Sequence, residues 1–318
     1  MTKKNLLFLS LVLMLTSGLC ACNKVGGIET VSAETSVVDA GAAPVQTVSI
    51  ETEASTRTTT VPNEDDPTAC PKGMREVSGE YCRSVEHRCL KGRDVVYSKD
   101  PKNPGGLLVQ TIVPWSCANP NGCAVPQYCD VFVKGYAVCG TKDDAHANGG
   151  PNKVPDVKPM HFCIDDGEYP NVAKEMPRVQ VTWNEASSLC EAQNKRLCGD
   201  DEWTLACEGP KRLPYSYGWE RDASKCYIDH RKSDGPMPVL SSPQCTSPYG
   251  VHDMNGNVDE WTRNVTLGGK PYESIFKGGH WVEGARDRCR PNTSSHGPTF
   301  SFYAEGFRCC ADPATVTR

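Results

Sequence analysis

This chain of 318 residues contains eighteen cysteines, whose thiols can do several kinds of chemistry. Thiolates can bind copper(I) or zinc, attack electrophiles, or pair as disulfides where the compartment is oxidising. The chain contains no C-x-x-C pair, which disfavours a zinc site. Because so many cysteines are unusual in a reduced cytosol, we expect an exported protein whose cysteines mostly form disulfides.

An oxygen-rich run over residues 253–260 is the second segment with chemical capacity. Side-chain oxygens recur at alternating positions from Asp253 to Asp259, and Glu260 follows. Calcium is a hard cation that prefers oxygen ligands of this kind. The run is not an EF-hand, because the glycine position of such a loop falls on Val258. It predicts either a calcium loop of another kind or a tight polar turn that only orders the core.

Two histidines and a carboxylate provide a third set of metal ligands. His280 and His296 lie in the same half of the chain, and Glu283 is close to His280 in the sequence. Non-haem iron centres use such a combination with open coordination positions. A histidine beside an aromatic residue, as His280 is beside Trp281, is more often structural, so we do not expect an iron cofactor.

Two helices are predicted to position these residues. Thr182 and Glu185 form a capping box, and apolar residues at helical spacing extend the first helix over about 184–194. The second helix begins near Gly199 and covers 200–207. Acidic residues fill its first turn, where they interact favourably with the helix dipole.

A cysteine-rich insertion is predicted at about 89–160. This stretch is rich in Pro, Gly and Asn and contains five cysteines. Apolar runs at 95–97, 107–109 and 131–133 predict short strands between turns.

The amino terminus has the pattern of a bacterial lipoprotein signal. Basic residues precede an apolar run, 6–15, that is too short to span a bilayer, so we interpret residues 1–21 as a signal peptide. The Leu-Cys-Ala-Cys sequence that ends at Cys22 resembles a lipobox, and lipid on Cys22 would anchor the chain to a membrane. The alternative is a plain secretion signal. Cleavage before Cys22, with lipid on it, would leave sixteen of the eighteen cysteines, an even number.

Residues 22–69 are predicted to form a disordered, acidic, Thr/Ser-rich tether. They contain no aromatic residue and too little apolar surface to offset the entropy of ordering. The tether accounts for the net charge of −5, and the remaining body, 70–318, is nearly neutral. Nucleic acid is therefore not an expected partner, because such binding needs a basic surface.

Seven short motifs follow one another in the carboxyl-terminal half. Together they are similar to the formylglycine-generating-enzyme (sulfatase-modifying factor) family, although none is specific alone. The resemblance implies an α+β fold of the C-type-lectin-like formylglycine-generating-enzyme class for residues 70–318, irregular and disulfide-rich. The motifs are Val-Thr-Trp-Asn-Glu-Ala (181–186), Lys-Arg-Leu (195–197), Asp-Glu-Trp (201–203), Tyr-Gly (217–218), Asp-Met-Asn-Gly-Asn-Val-Asp-Glu-Trp (253–261), Gly-Gly-His-Trp (278–281) and Gly-Phe-Arg (306–308).

The resemblance also implies where catalytic copper would bind. Enzymes of the family oxidise a substrate cysteine to formylglycine with copper held by two cysteines, four and nine positions beyond the second glycine of the Gly-Gly motif. These positions are Glu283 and Arg288 in this chain, and Cys289 is one residue too far on. His280 stands where the family usually has serine. We therefore expect no copper cofactor and no catalytic residues, because one off-register thiolate cannot form the bis-thiolate site.

The resemblance also implies features that stabilise the fold, namely disulfides and a calcium site. The resemblance implies disulfides Cys190–Cys309 and Cys207–Cys289, and we predict Cys198–Cys310 and Cys226–Cys245 in addition. It also implies a calcium site. Its ligands would be the Asp253 and Glu260 side chains and the Gly256 and Val258 carbonyls.

The resulting hypothesis is a lipid-anchored protein of the bacterial cell envelope, at the outer membrane and facing the periplasm or the surface. Its folded part is interpreted as a non-catalytic binding or scaffold domain for an unknown protein, peptide or glycan, with a cleft at His280, Trp281 and Glu283. A divergent metal-dependent oxidase or oxygenase acting on a peptide or small thiol, including residual formylglycine generation, is the alternative. A structural envelope component is a third hypothesis.

Overall fold

A computed structural model describes residues 70–99, 108–116, 125–126, 128–144, 152–266 and 272–314. The signal peptide (1–21), the lipidation site Cys22 and the tether (22–69) lie outside the described residues, as do Cys117 and Cys123. No helix within the described ranges is long and apolar enough to cross a membrane.

Two helices and thirteen strands make up the regular structure of the described residues. The helices are α1 (Trp183–Glu191) and α2 (Asp200–Glu208), with a 3-10 turn at Lys232–Asp234. The strands are β1 (Met74–Cys82), β2 (Val85–Lys99), β3 (Leu108–Ser116), β4 (Tyr128–Cys139), β5 (Thr141–Asp144), β6 (Asn152–Pro155), β7 (Val157–Asp165), β8 (Arg196–Leu197), β9 (Asp259–Arg263), β10 (Ser274–Lys277), β11 (Asn292–Thr293), β12 (Glu305–Phe307) and β13 (Cys309–Ala311).

Both helices begin where the sequence predicts. The Thr182 side chain accepts a hydrogen bond from the Glu185 N–H at 3.2 Å, and the Glu185 carboxylate accepts one from the Thr182 N–H at 2.8 Å. Gly199 is the N-cap of α2, and Gly209 ends it. The capping box satisfies backbone groups that the first turn of α1 would otherwise leave unpaired.

Two four-stranded sheets form the family-like part of the chain. One has the order β1-β7-β13-β8, and its pairings are antiparallel. The other has the order β11-β10-β9-β12, in which β12 runs parallel to β9. Trp203 and Trp261 are fully buried in the two main core clusters. The second sheet places the oxygen-rich run and the Gly-Phe-Arg motif side by side, because Glu260 pairs with Gly306.

The predicted insertion is an antiparallel sheet of its own. Between β1 and β7, residues 83–156 contain a three-stranded sheet, β3-β2-β4, and the pair β5-β6. Its strands are longer than the apolar runs predicted because cross-strand pairing extends into the polar flanks. It docks on the loop after α2, where the Phe132 N–H donates to the Trp219 carbonyl at 2.9 Å.

Seven disulfides join the described elements. They include Cys190–Cys309 and Cys207–Cys289, which the resemblance implied, and the predicted pairs Cys198–Cys310 and Cys226–Cys245. Each such crosslink stabilises a fold by about 2–4 kcal/mol. The other three pairs are Cys70–Cys163, Cys82–Cys139 and Cys89–Cys129.

Candidate functional site

The segment 278–290 follows β10 and folds back on itself. Gly278 and Gly279 both adopt the left-handed region, with φ of 92° and 72°. A Cβ on Gly279 would lie 2.9 Å from the Asp287 backbone nitrogen, so this close approach requires glycine. The turn brings residues 286–288 against the start of the segment.

Ion pairs hold the charged side chains of this segment. Glu283 pairs with Arg93 of the insertion, and Asp287 accepts a hydrogen bond from Arg221 at 2.5 Å. Arg286 donates to Asp259 through both Nη atoms, one of them at 2.8 Å.

Arg290 and Arg288 complete the packing of the segment. Arg290 pairs with Glu208 of α2 at 2.6 Å. The Arg288 guanidinium lies 5.7 Å from the centre of the Phe132 ring, and burial lowers its pKa. Between them, Cys289 is bonded to Cys207. The segment therefore fastens the insertion and α2 to the second sheet.

A cavity of about 330 Å³ opens beside the segment. Its polar side is formed by Asp259, His280, Arg286 and Glu305. Four aromatic rings also line the cavity: Phe276, His296, Phe300 and Phe302. The volume is that of a small ligand site.

Burial controls the charge of the polar side. Burial, together with the nearby Asp259 carboxylate, raises the pKa of Glu305 to about 7. Burial also lowers the pKa of His280, which favours the neutral ring. Glu305 is 5 % exposed, and its Oε2 atom has no hydrogen-bond partner among the described residues. An unpaired buried carboxylate oxygen is a costly feature unless a ligand satisfies it.

A second polar cluster lies in the core beneath the oxygen-rich run. Arg308 donates to both carboxylate oxygens of Glu260 at 2.7 Å, and the Trp203 indole N–H donates to the same carboxylate at 2.8 Å. Glu168 is also fully buried. Burial and the charge of Asp253 raise the pKa of Glu168 well above its usual range.

One family model matches this chain. The family model described as "Sulfatase-modifying factor enzyme 1-like domain" matches residues 126–313, more than half of the chain. The chain belongs to the formylglycine-generating-enzyme family. The resemblance found in the sequence is thereby confirmed, and so is the expected α+β, irregular, disulfide-rich fold.

Relatives of this formylglycine-generating-enzyme-like protein include both active and inactive members. It is 29 % identical over 153 residues to the inactive C-alpha-formylglycine-generating enzyme 2 of Bos taurus, covering 43 % of this chain and 50 % of that protein. It is 27 % identical over 172 residues to the formylglycine-generating enzyme of Bos taurus, covering 44 % and 45 %. The chain thus spans about half the length of these curated relatives.

Among solved structures, PvdO from Pseudomonas aeruginosa is similar at 19 % identity and a TM-score of 0.37. The match covers 54 % of this chain and 89 % of that one.

In this family member, the copper positions are occupied by charged residues. Glu283 and Arg288 are paired or stacked as described above, and Cys289 is bonded to Cys207. All fourteen cysteines of the described ranges are disulfide-bonded. A thiolate ligand for copper from any of these fourteen residues would therefore require reduction of a disulfide.

Three of the residues predicted for calcium lie in the loop before β9, and the fourth, Glu260, lies on β9 itself. Both oxygens of Glu260 are taken by Arg308. Asp253 accepts one hydrogen bond from the Leu240 N–H at 3.1 Å, and burial raises its pKa to about 6. Gly256 has a φ of 83°, which turns the backbone before Val258. Of the two carboxylates predicted for calcium, Glu260 is thus already paired with Arg308, whereas Asp253 accepts a backbone hydrogen bond.

The side chains predicted as metal ligands do not form a cluster in the described structure. Within the described ranges, no group of three or more His, Cys, Asp or Glu side chains is arranged to hold a metal ion. His280 and His296 line the same cavity, whereas Glu283 is bound to Arg93. A calcium site that used the Gly256 and Val258 carbonyls would contain fewer than three such side chains, so it would not form a cluster of this kind.

The cleft differs in composition from the one predicted. His280 lines the cavity, while Trp281 is buried and its indole N–H donates to the Arg231 carbonyl at 3.2 Å. Arg286 and Glu305 line the cavity but were not predicted from the sequence, although Glu305 directly precedes the Gly-Phe-Arg motif. The aromatic part of the lining was not predicted either. The aromatic run 300–303 was the available signal.

Proposed function

We propose that this protein is a non-catalytic member of the formylglycine-generating-enzyme family that acts as a ligand-binding domain. The observation that carries this proposal is the chemistry of the segment 283–289. Where copper enzymes of the family have two thiolates, it has Glu283 and Arg288, and the neighbouring Cys289 is bonded to Cys207. Soft thiolates suit copper(I), and carboxylate and guanidinium groups do not replace them.

The fixed packing of the segment also supports a binding role. Glu283, Arg286, Asp287 and Arg290 all form ion pairs with other parts of the fold. An enzyme of this kind needs groups that can reach substrate and metal. The cavity beside the segment is lined by polar groups and aromatic rings, which is the usual composition of a binding site.

Oxidation of a cysteine-containing peptide in the presence of copper(I) tests the proposal. We expect no formylglycine, because the described residues offer no pair of free thiolates at the copper positions.

We further propose that the domain is held at the bacterial envelope, at the outer membrane, by lipid on Cys22. The Leu-Cys-Ala-Cys pattern and the acidic tether that follows support this location. Metabolic labelling with a fatty acid should mark the full chain and not the Cys22→Ser variant. Equal labelling of both would contradict the anchor.

A further inference from the structure

We propose that the cavity binds the basic side chain of a peptide, that is, a protonated amine or guanidinium on an apolar stem. This inference rests on the proposed binding function and names the ligand class of that same site. Three features carry it: the charge of the cavity, its aromatic rings, and a lysine of the chain that lies over two rings at its edge, Phe302 and Tyr303.

The charge balance on the polar side favours a cation. Asp259 and Glu305 contribute two carboxylates, and Arg286 contributes one guanidinium. Arg286 is committed to Asp259 through both Nη atoms, so its hydrogen-bonding capacity is directed there. Its charge lowers the pKa of Glu305 less than burial and Asp259 raise it. Glu305 Oε2, buried and without a partner among the described residues, remains as the acceptor. A cationic donor would form a charge-assisted hydrogen bond with it.

The aromatic part of the lining is suited to the stem and the charge of a basic side chain. The His296 and Phe300 rings stack with centroids 3.9 Å apart, and Phe302 follows Phe300 at 6.4 Å. Phe276 closes the row at 5.8 Å from His296. Aromatic faces attract cations within about 6 Å and also pack against methylene groups.

A lysine of the chain itself already contacts Phe302 and its neighbour Tyr303. Lys232 Nζ lies 4.2 Å from the centre of the Tyr303 ring and 5.6 Å from that of Phe302. Phe302 is 47 % exposed, so its other surface is accessible. The position of Lys232 indicates that the rings accept a cation, and its charge should weaken the binding of a second one.

Other ligand classes fit less well. An anionic ligand would meet two carboxylates, while Arg286 is already paired. A neutral apolar ligand would fill the aromatic side but leave the Glu305 oxygen unpaired. A basic side chain satisfies both sides of the cavity.

Titration calorimetry of the full chain with capped amino acids tests the inference. The probes are the N-acetyl N-methylamides of lysine, arginine, norleucine and glutamate at pH 8. We expect lysine or arginine to bind at least tenfold more tightly than norleucine, and the two basic probes distinguish amine from guanidinium recognition. Norleucine binding equal to that of the basic probes, or preferred binding of glutamate, would overturn the inference.

Four variants locate the binding in the cavity. Glu305→Gln should weaken binding of the basic probe at least tenfold, and Phe302→Ala should weaken it without a folding defect, because Phe302 is half exposed. Lys232→Gln should strengthen it by removing the competing charge. Glu175→Gln, an exposed carboxylate elsewhere, is the matched control. Unchanged affinity in both Glu305→Gln and Phe302→Ala would place the ligand at another site and contradict the inference.

Affinity for the basic probe should rise about tenfold from pH 6 to pH 8. The cation requires ionised Glu305, and a pKa of about 7 means that the carboxylate gains its charge across this range. Asp259, Arg286 and Tyr303 are the ionisable groups that act on Glu305, and His280 and His296 line the same cavity. A flat profile would contradict the role of Glu305. Failure of both basic probes to bind would overturn the cation inference alone, because peptide oxidation separately decides the proposed function.

Discussion

Replacing Arg308 by methionine should lower the free energy of unfolding by about 3–5 kcal/mol. Arg308 is fully buried and pairs with Glu260 through two hydrogen bonds of 2.7 Å. Its Nη1 atom also donates to the Asp165 and Asp166 carbonyls at 3.3 and 3.2 Å. The substitution would leave the Glu260 carboxylate without its counter-ion, close to other buried acids. An uncompensated buried charge is among the most destabilising changes a protein core can undergo.

Denaturant unfolding with the disulfides intact measures this effect. Arg83→Met is the matched control, because Arg83 pairs with Asp156 at 3.3 Å but is 52 % exposed. That loss should be about 1 kcal/mol or less. The double variant Arg308→Met with Glu260→Gln should recover part of the stability, since it removes the stranded charge. A loss below about 1 kcal/mol for Arg308→Met would mean that the pair contributes little.

Calcium should raise the melting temperature of the full chain, and we propose the loop 253–260 as the site. Glu168, Asp253 and Glu260 are three buried acids, and Arg308 pairs with one of them. A divalent cation held by Asp253 and the nearby carbonyls would offset the remaining negative charge. At a concentration a hundredfold above its dissociation constant, a ligand stabilises the folded state by about 2.7 kcal/mol. For a domain of this size, that corresponds to a shift of about 5–10 °C.

Thermal melts in excess calcium and in a chelator measure the shift. Magnesium is the metal control, because it demands a small octahedral site and should stabilise less. Asp253→Asn should remove most of the calcium effect. The calcium proposal would be falsified if the native chain showed no shift, or if Asp253→Asn shifted as much as the native chain.

Local signals in the sequence were sufficient for α2 and for the start of α1, whereas α1 ends at Glu191 and not near the predicted residue 194. Thr182 and Glu185 satisfy the first turn of α1 with their own side chains, and Gly199 and Gly209 delimit α2. Capping depends on contacts within a few residues, so it can be read from a short window. Two disulfides, Cys190–Cys309 and Cys207–Cys289, came from the family resemblance. The three pairs that involve the first seventy residues of the folded part and β7 were not predicted, because the pairing of distant cysteines is not encoded in their spacing.

The cavity and the insertion could not be derived in the same way. Asp259, Arg286, His296 and Glu305 come from separate segments that only the second sheet brings together. The pairing of Arg93 with Glu283 joins residues 190 positions apart. Contacts of this kind depend on sheet register and loop docking, which hydrophobic periodicity does not specify.

The central claim, that this family member does not make formylglycine, is tested most directly by a peptide-oxidation assay. The full chain is treated with copper(I) and incubated with oxygen, a reductant and a cysteine-containing sulfatase peptide, beside an active formylglycine-generating enzyme. Mass spectrometry then follows conversion of the cysteine to the aldehyde. We predict an unconverted peptide with this protein and conversion with the active enzyme. Copper-dependent formation of formylglycine that is lost in Cys289→Ser would contradict the account.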